Sequence, residues 1–200
     1  MAERPVTTLR RVDPAAPGPA GRAIEHAARW TAYAGGLVLS GMALLTVLSI
    51  LSRALGFGSV RGDYELVANG CALAIFAFLP WCHLRRGHVT VDVVASLLPP
   101  RAQAALGLVG DLLVAAAAVL ILRQLWFAFG EKLPYLDQPL RDRLGFGYLP
   151  YFPETTYELE IPVWMPYGAA LVLAALFVVT SFYAVLRALR WVRAGAEGAA

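Results

Sequence analysis

Polar and apolar positions divide this chain into four long apolar blocks separated by short charged stretches: Trp30 to Ser52, Leu66 to Cys82, Ala102 to Leu122 and Ile161 to Leu186. None alternates with the two-residue period of a membrane barrel strand. Each is about as long as the roughly 20 residues a helix needs to cross a bilayer. The second is the shortest, and Glu65 and His83 at its ends are expected to reach toward the headgroups. The third carries on past Arg123 through Leu125, Trp126, Phe127 and Phe129, so its helix is predicted to run on toward Gly130 with Arg123 snorkelling beside an aromatic belt. The pattern predicts an all-α membrane protein with four transmembrane helices over about 30–52, 66–82, 102–122 and 161–186.

Composition supports lipid as the solvent. The chain has 200 residues, 58% of them hydrophobic and 16% charged, with a mean hydropathy of +0.60. A soluble domain carries about a quarter charged residues, so the composition argues against a conventional soluble enzyme. The net charge of +3 does not describe a nucleic-acid face, because the basic residues gather in caps between the apolar blocks. Cys71 and Cys82 lie within one apolar run and read as buried small hydrophobes. The first block begins too late and runs too long for a cleavable signal peptide and is expected to stay as an anchor.

Lys and Arg set the orientation, because they resist translocation. Residues 1–29, the middle loop and the C-terminal end hold eleven of them, and the other two loops hold six beside eight acids. Both termini are therefore expected inside. Residues 1–29, rich in Pro, Ala, Gly and Arg, are expected to form a flexible tail, residues 30–190 the membrane domain, and residues 191–200 a second tail. The long loop from Gln124 to Glu160 is expected outside. Its aromatics, Tyr135, Phe146, Tyr148, Tyr151, Phe152 and Tyr157, predict a packed cap rather than a linker.

Motifs of soluble catalysis are missing: the chain has no phosphate loop, dinucleotide fingerprint, nucleophile elbow or Cys/His ladder. No catalytic, cofactor or metal residues are assigned. His26 lies in the tail region, and His83 and His88 near the middle loop. A bis-histidine haem needs imidazoles on facing helices inside the bundle, and these positions read as membrane-edge ones. His88 and Asp92 have i,i+4 spacing, but two ligands do not make a metal site. Small-residue stripes at Ala32, Gly36 and Ser40, at Gly70 and Ala74, and at Gly168 to Ala170 predict close helix packing, within the bundle or against a partner. No internal repeat and no solute path are evident, which argues against a complete transporter in this chain.

The most distinctive stretch runs from Asp63-Tyr-Glu-Leu through Leu84-Arg-Arg-Gly-His-Val-Thr-Val-Asp-Val-Val to Leu97-Leu-Pro-Pro. Gly87 permits a turn after the second helix, and Val89, Val93 and Leu97 suit a short interfacial segment before the third. Here the chain resembles the small membrane subunit, DctQ type, of tripartite ATP-independent periplasmic (TRAP) transporters. The resemblance covers roughly residues 30–190. It rests on the acid entering helix two (Glu65), on the Gly87, His88, Val89, Val91, Asp92 signature ahead of a Leu-Pro, and on the Ile161-Pro-Val-Trp-Met-Pro-Tyr entry to the last helix. Pro80-Trp-Cys-His departs from the smaller residues usual there, and the loop from Gln124 to Glu160 is longer than in typical members.

The resemblance implies a non-catalytic, cofactor-free scaffold in the bacterial inner membrane. Its implied partners are a large membrane subunit, which holds the substrate and ion sites, and a periplasmic solute-binding protein. The rival readings are a membrane redox or haem-anchor subunit and a self-sufficient homo-oligomeric carrier. Glu65, Gly87, His88, Asp92 and Asp111 are the residues expected to matter for assembly. Asp111 sits near mid-membrane if its span ends at Leu122, where an ionised carboxylate facing lipid costs about 3 kcal/mol, so it is expected to face protein or be protonated. Ser40, at similar depth, and a polar group of the large subunit are its candidate partners. The role is a clasp between helices or, alternatively, a relay.

Overall fold

The computed structural model describes residues 18–85 and 100–194. Within them the chain forms five helices: α1 (Pro19–Ala54), α2 (Asp63–Leu84), α3 (Pro100–Lys132), α4 (Gln138–Leu144) and α5 (Trp164–Ala194). Four of these, all except α4, are long and apolar enough to cross a membrane. The four apolar blocks of the sequence thus become the four long helices. Gly87, His88 and Asp92, with the segment expected to lie at the interface, fall outside the described residues.

Local chemistry accounts for most helix ends. Pro19 occupies the first turn of α1, where its missing N–H costs nothing. Beyond Ala54, Gly56 (φ 83°) and Gly58 (φ 84°) adopt left-handed backbone that continues no helix. Gly62 (φ 71°) turns the chain into α2, whose first turn carries Asp63 and Glu65 against the positive end of the helix dipole. Pro139 starts α4, and Gly145 (φ 73°) closes it.

All four long helices outrun their apolar blocks, α1 and α3 the most, and α3 does so past Arg123 as expected. With 36 residues α1 is about 54 Å long against a hydrocarbon core of about 30 Å. Its extra turns lie before Trp30 and carry Arg22, Glu25, His26 and Arg29. Likewise α3 continues ten residues past Leu122 to Lys132, because Trp126, Phe127 and Phe129 keep it apolar on the far side of Arg123.

The long helices pack in the order α1, α2, α5, α3, with α2 and α5 central and α1 and α3 on the flanks. On α1 the buried positions are Gly21, Ala28, Gly35 and Ser49, and Met42 lies against Gly70 of α2. These recur every seven residues, the spacing that keeps one face of a helix turned to a neighbour. The stripe expected at Ala32, Gly36 and Ser40 is not that face: Ser40 is exposed, and successive four-residue steps rotate past the contact. Gly70 and Ala74 are buried on α2. The core of α5 is Ala170, Ala174, Phe177, Ser181, Ala184 and Ala188, alternating steps of four and three. Thr180 and Ser181, both fully buried, donate to the Phe177 carbonyl one turn back and so need no partner elsewhere.

At the closest approach of α1 and α2, a Cβ on Gly35 would stand 2.9 Å from Ala77 Cβ and 3.2 Å from the Ala74 carbonyl oxygen. Small residues supply the attraction between helices in lipid by letting their backbones approach. Gly35→Leu is therefore expected to lower stability in detergent by about 3 kcal/mol, at the upper end of what overpacking costs. Gly41→Leu, where nothing lies within 4 Å, serves as the control and is expected to change stability little.

Candidate functional site

Antiparallel packing brings the start of α1, the end of α2, the start of α3 and the end of α5 to one end of the molecule. The opposite end gathers the α1–α2 turn, the end of α3, α4 and the lead into α5. Side-chain chemistry concentrates at these two ends, with the span between them almost wholly apolar.

At the α4 end, Glu65 is half-buried and reaches into the segment that leads to α5. Its carboxylate accepts the backbone N–H groups of Glu158 (2.8 Å) and Leu159 (3.2 Å), more than ninety residues along the chain. Glu158 returns the contact by accepting the Gly62 N–H at 2.5 Å. The segment so gripped is a tight turn. Thr155 and Pro162 form an antiparallel bridge, Thr156 N–H donates to the Ile161 carbonyl (2.9 Å), and Glu160 takes a positive φ of 55°. Two carboxylates exchanged between α2 and this turn fix where α5 begins relative to α2. Leu159 also lies over Gly62, close enough that no side chain fits there.

Alongside, Asp63 ties α1 to α2: it accepts the Ser49 hydroxyl, receives its neighbour Tyr64's N–H at 2.7 Å and lies 3.5 Å from an Arg53 amine. A cavity of about 310 Å³ opens here, lined by Thr46, Ser49, Ile50, Arg53, Asp63, Tyr64 and Val67. Its one carboxylate is already engaged by Ser49 and Arg53.

The strongest feature of this end is Arg141, which is 0% exposed. From α4 its guanidinium donates to four carbonyls: Gly147 (3.1 Å), Leu133 (2.5 Å), Gly130 (2.7 Å) and Tyr148 (3.2 Å). The Gly130 and Leu133 carbonyls stand at the end of α3, the negative end of its dipole, where a cation is best placed. Phe146, 2% exposed, closes the site against Trp126 (ring centres 4.9 Å apart) and Phe129 (6.4 Å). Of the six aromatics on which a packed cap was expected, Phe146 alone is buried, and Tyr135, Tyr148, Tyr151, Phe152 and Tyr157 are exposed; what packs here is Arg141 with Phe146. The sequence does mark the helix, since Asp137, Pro139 and Gly145 punctuate α4. Nothing in it separates Arg141, turned inward, from Arg143, turned outward.

At the opposite end His83, expected to reach outward, is 3% exposed and stacks edge-on with Phe177 of α5. Its Nε2 lies 3.9 Å from a carboxylate oxygen of Asp111 on α3. Asp111 shares its helical stripe with Ala115 and Ala118, both buried, and so faces protein. Asp111 lies eleven residues into α3, five short of its middle, and its carboxylate stands level with His83 in the last turn of α2. Ser40 is not its partner. Arg187 of α5 donates to the Leu84 carbonyl at 3.1 Å, capping α2. Arg29 and Arg85 both lie over the Trp81 ring, at 5.3 and 4.5 Å from its centre.

These contacts fasten helices to one another. Among the described residues no three His, Cys, Asp or Glu side chains gather as metal ligands. A haem iron held between two imidazoles requires a pair, and the described helices bring one, His83, into the interior. Large apolar side chains cover the outer faces of α1 and α3, where Leu37, Leu44, Val47, Leu106 and Leu113 are each more than half exposed. A surface of that kind belongs against lipid or another apolar chain.

No curated protein and no solved structure matches the chain. A family model does: tripartite ATP-independent periplasmic transporters, DctQ component, over residues 42–191. That match spans α2, α3 and α4 entire, all but the last three residues of α5, and the final third of α1. Covering three quarters of the chain, and in keeping with four helices apolar enough to cross a membrane, it shows that this chain belongs to the DctQ family, as a small membrane subunit of a TRAP transporter.

Proposed function

We propose that the chain is a static scaffold in the bacterial inner membrane, with both termini inside. On this reading it braces a large permease subunit while that subunit carries out ion-coupled uptake of a solute handed over by a periplasmic binding protein. The observation that carries it is the pairing of locked ends with open flanks. Glu65, Asp63 and Arg141 fasten one end and His83, Asp111 and Arg187 the other, while α1 and α3 keep apolar outer faces for lipid and a partner. A moving transporter needs an element with two arrangements. Charged groups tied across three helices favour one. Co-expression with the large subunit is expected to yield a stoichiometric complex. Cysteines introduced at Asp142 are expected to react with impermeant reagent from outside, and labelling only after the inner face is opened would overturn the orientation.

Asp111 and His83 act on this reading as a clasp between α3 and α2, with α5 beside them. Gly87, His88 and Asp92 are assigned to assembly through the family signature, and His88→Gln with Asp92→Asn is expected to weaken recovery of the large subunit. Asp111→Asn keeps a polar group against His83 and is expected to preserve assembly and most transport. Asp111→Leu removes it from an interior where replacing a polar contact costs about 1–2 kcal/mol, and is expected to loosen the complex. Normal assembly with abolished transport in Asp111→Asn would make the residue a relay instead.

A further inference from the structure

The geometry points to an anion site at the Arg29, Trp81 and Arg85 cluster that holds the phosphate of an acidic phospholipid. Two guanidinium groups from different helices converge on one indole, Arg29 from α1 at 5.3 Å and Arg85 from the end of α2 at 4.5 Å. Like charges brought to one ring repel. The ring face offsets part of that repulsion, but it leaves the N–H edges of both forks directed elsewhere. Among the described residues neither arginine takes part in an ion pair, Glu25 one turn before Arg29 included. Arg187, the neighbouring cation, is engaged on the Leu84 carbonyl.

Position selects the source of the anion. Arg29 immediately precedes the apolar block of α1, and Arg85 follows that of α2 by three residues, so both stand at the boundary between hydrocarbon and water. Trp30, 68% exposed and set edge-on to Tyr33 at 5.9 Å, marks the same level as an interfacial aromatic pair. The described charges at this end are otherwise cationic apart from Glu25 and the enclosed Asp111: Arg22, Arg187, Arg190 and Arg193. A headgroup with a net negative charge, tethered by acyl chains lying along the apolar grooves of α1 and α2, meets the two forks from the membrane side. Arginine is the side chain that grips phosphate with two parallel N–H donors.

The test is native mass spectrometry of the full-length chain, released from micelles containing equal phosphatidylglycerol and phosphatidylcholine, or from micelles with inorganic phosphate. Wild-type chain is expected to retain phosphatidylglycerol selectively, and retention is expected to fall about fivefold for each of Arg29→Gln and Arg85→Gln. Arg190→Gln with Arg193→Gln removes twice the charge of either single variant from the same end and is expected to leave retention nearly unchanged. Equal loss in that control pair would reduce the effect to general surface charge and overturn the site. Phosphate adducts as abundant as lipid adducts would overturn the lipid assignment. Circular dichroism checks folding. If the glutamine variants fail to fold, Arg29→Lys with Arg85→Lys keeps the charge and removes the forks; it is expected to cut retention severalfold, and undiminished retention would contradict the proposal.

Discussion

Replacing Arg141 with Leu is expected to destabilise the chain more than any other single substitution, by roughly 3–5 kcal/mol, the usual cost of breaking a buried charged contact. Four carbonyls now accept from one guanidinium that is 0% exposed, and leucine takes that donor from all four, leaving Gly130 only the long 3.4 Å bond from the Leu133 N–H. Each orphaned acceptor costs about 1–3 kcal/mol where water does not reach it. Arg141→Lys is not a rescue, because a single ammonium does not span carbonyls that lie on several sides of a planar fork. It is expected to recover less than half the loss. Arg143→Leu, on the exposed side of the same helix, is expected to change stability by no more than about 0.5 kcal/mol. Thermal unfolding in detergent reads the first quantity. Chymotrypsin cleavage at Tyr148 and Tyr151 reads the local one, since loss of the Arg141 contacts releases that loop before the long helices. A stable Arg141→Leu chain with an uncleaved loop would mean that the guanidinium is incidental.

Gly130→Ala is expected to act through the same site and in the opposite sense to helix propensity. Alanine in place of glycine near a helix end stabilises by up to about 1 kcal/mol when there is room. Here a Cβ would stand 2.1 Å from Phe146 Cδ1 and 2.4 Å from its Cγ, well inside contact distance. Phe146 is wedged against Trp126 and Phe129 and must leave its seat. Overpacking of this degree outweighs the propensity, for a net loss of about 2 kcal/mol. Since the Gly130 carbonyl is also an Arg141 acceptor, the two substitutions are expected to be non-additive in a double-mutant cycle. Phe146→Ala makes room for the new methyl, so Gly130→Ala added to it is expected to cost little. A full 2 kcal/mol loss in that background would place the clash elsewhere.

The long helices were legible in the sequence because lipid imposes one rule on every spanning residue, and a run of apolar positions states it directly. Helix ends were less so. Nothing in the apolar count shows that α1 starts at Pro19, since polar residues extend a helix into water as readily as apolar ones extend it through hydrocarbon. The buried face of α1 escaped for another reason: in a membrane the side facing protein is no more hydrophobic than the side facing lipid, and Gly35 and Gly36 read alike until α2 is laid beside them. His83 looked like a residue for the membrane edge because it ends an apolar run. It lies inside because α3 and α5 pass that level and bring Asp111 and Phe177 to it. Glu65 was singled out, but its partners, the Glu158 and Leu159 N–H groups, carry no side-chain signature at all.

Reconstitution into proteoliposomes with an imposed ion gradient tests the scaffold role most directly. Vesicles holding this chain alone, the large subunit alone, or both are compared with the solute-binding protein present throughout. The account predicts uptake only where both membrane subunits are present, and reduced uptake when Arg141→Leu has loosened the α4 end. Solute flux in vesicles holding this chain alone, or undiminished uptake by the large subunit without it, would contradict the account.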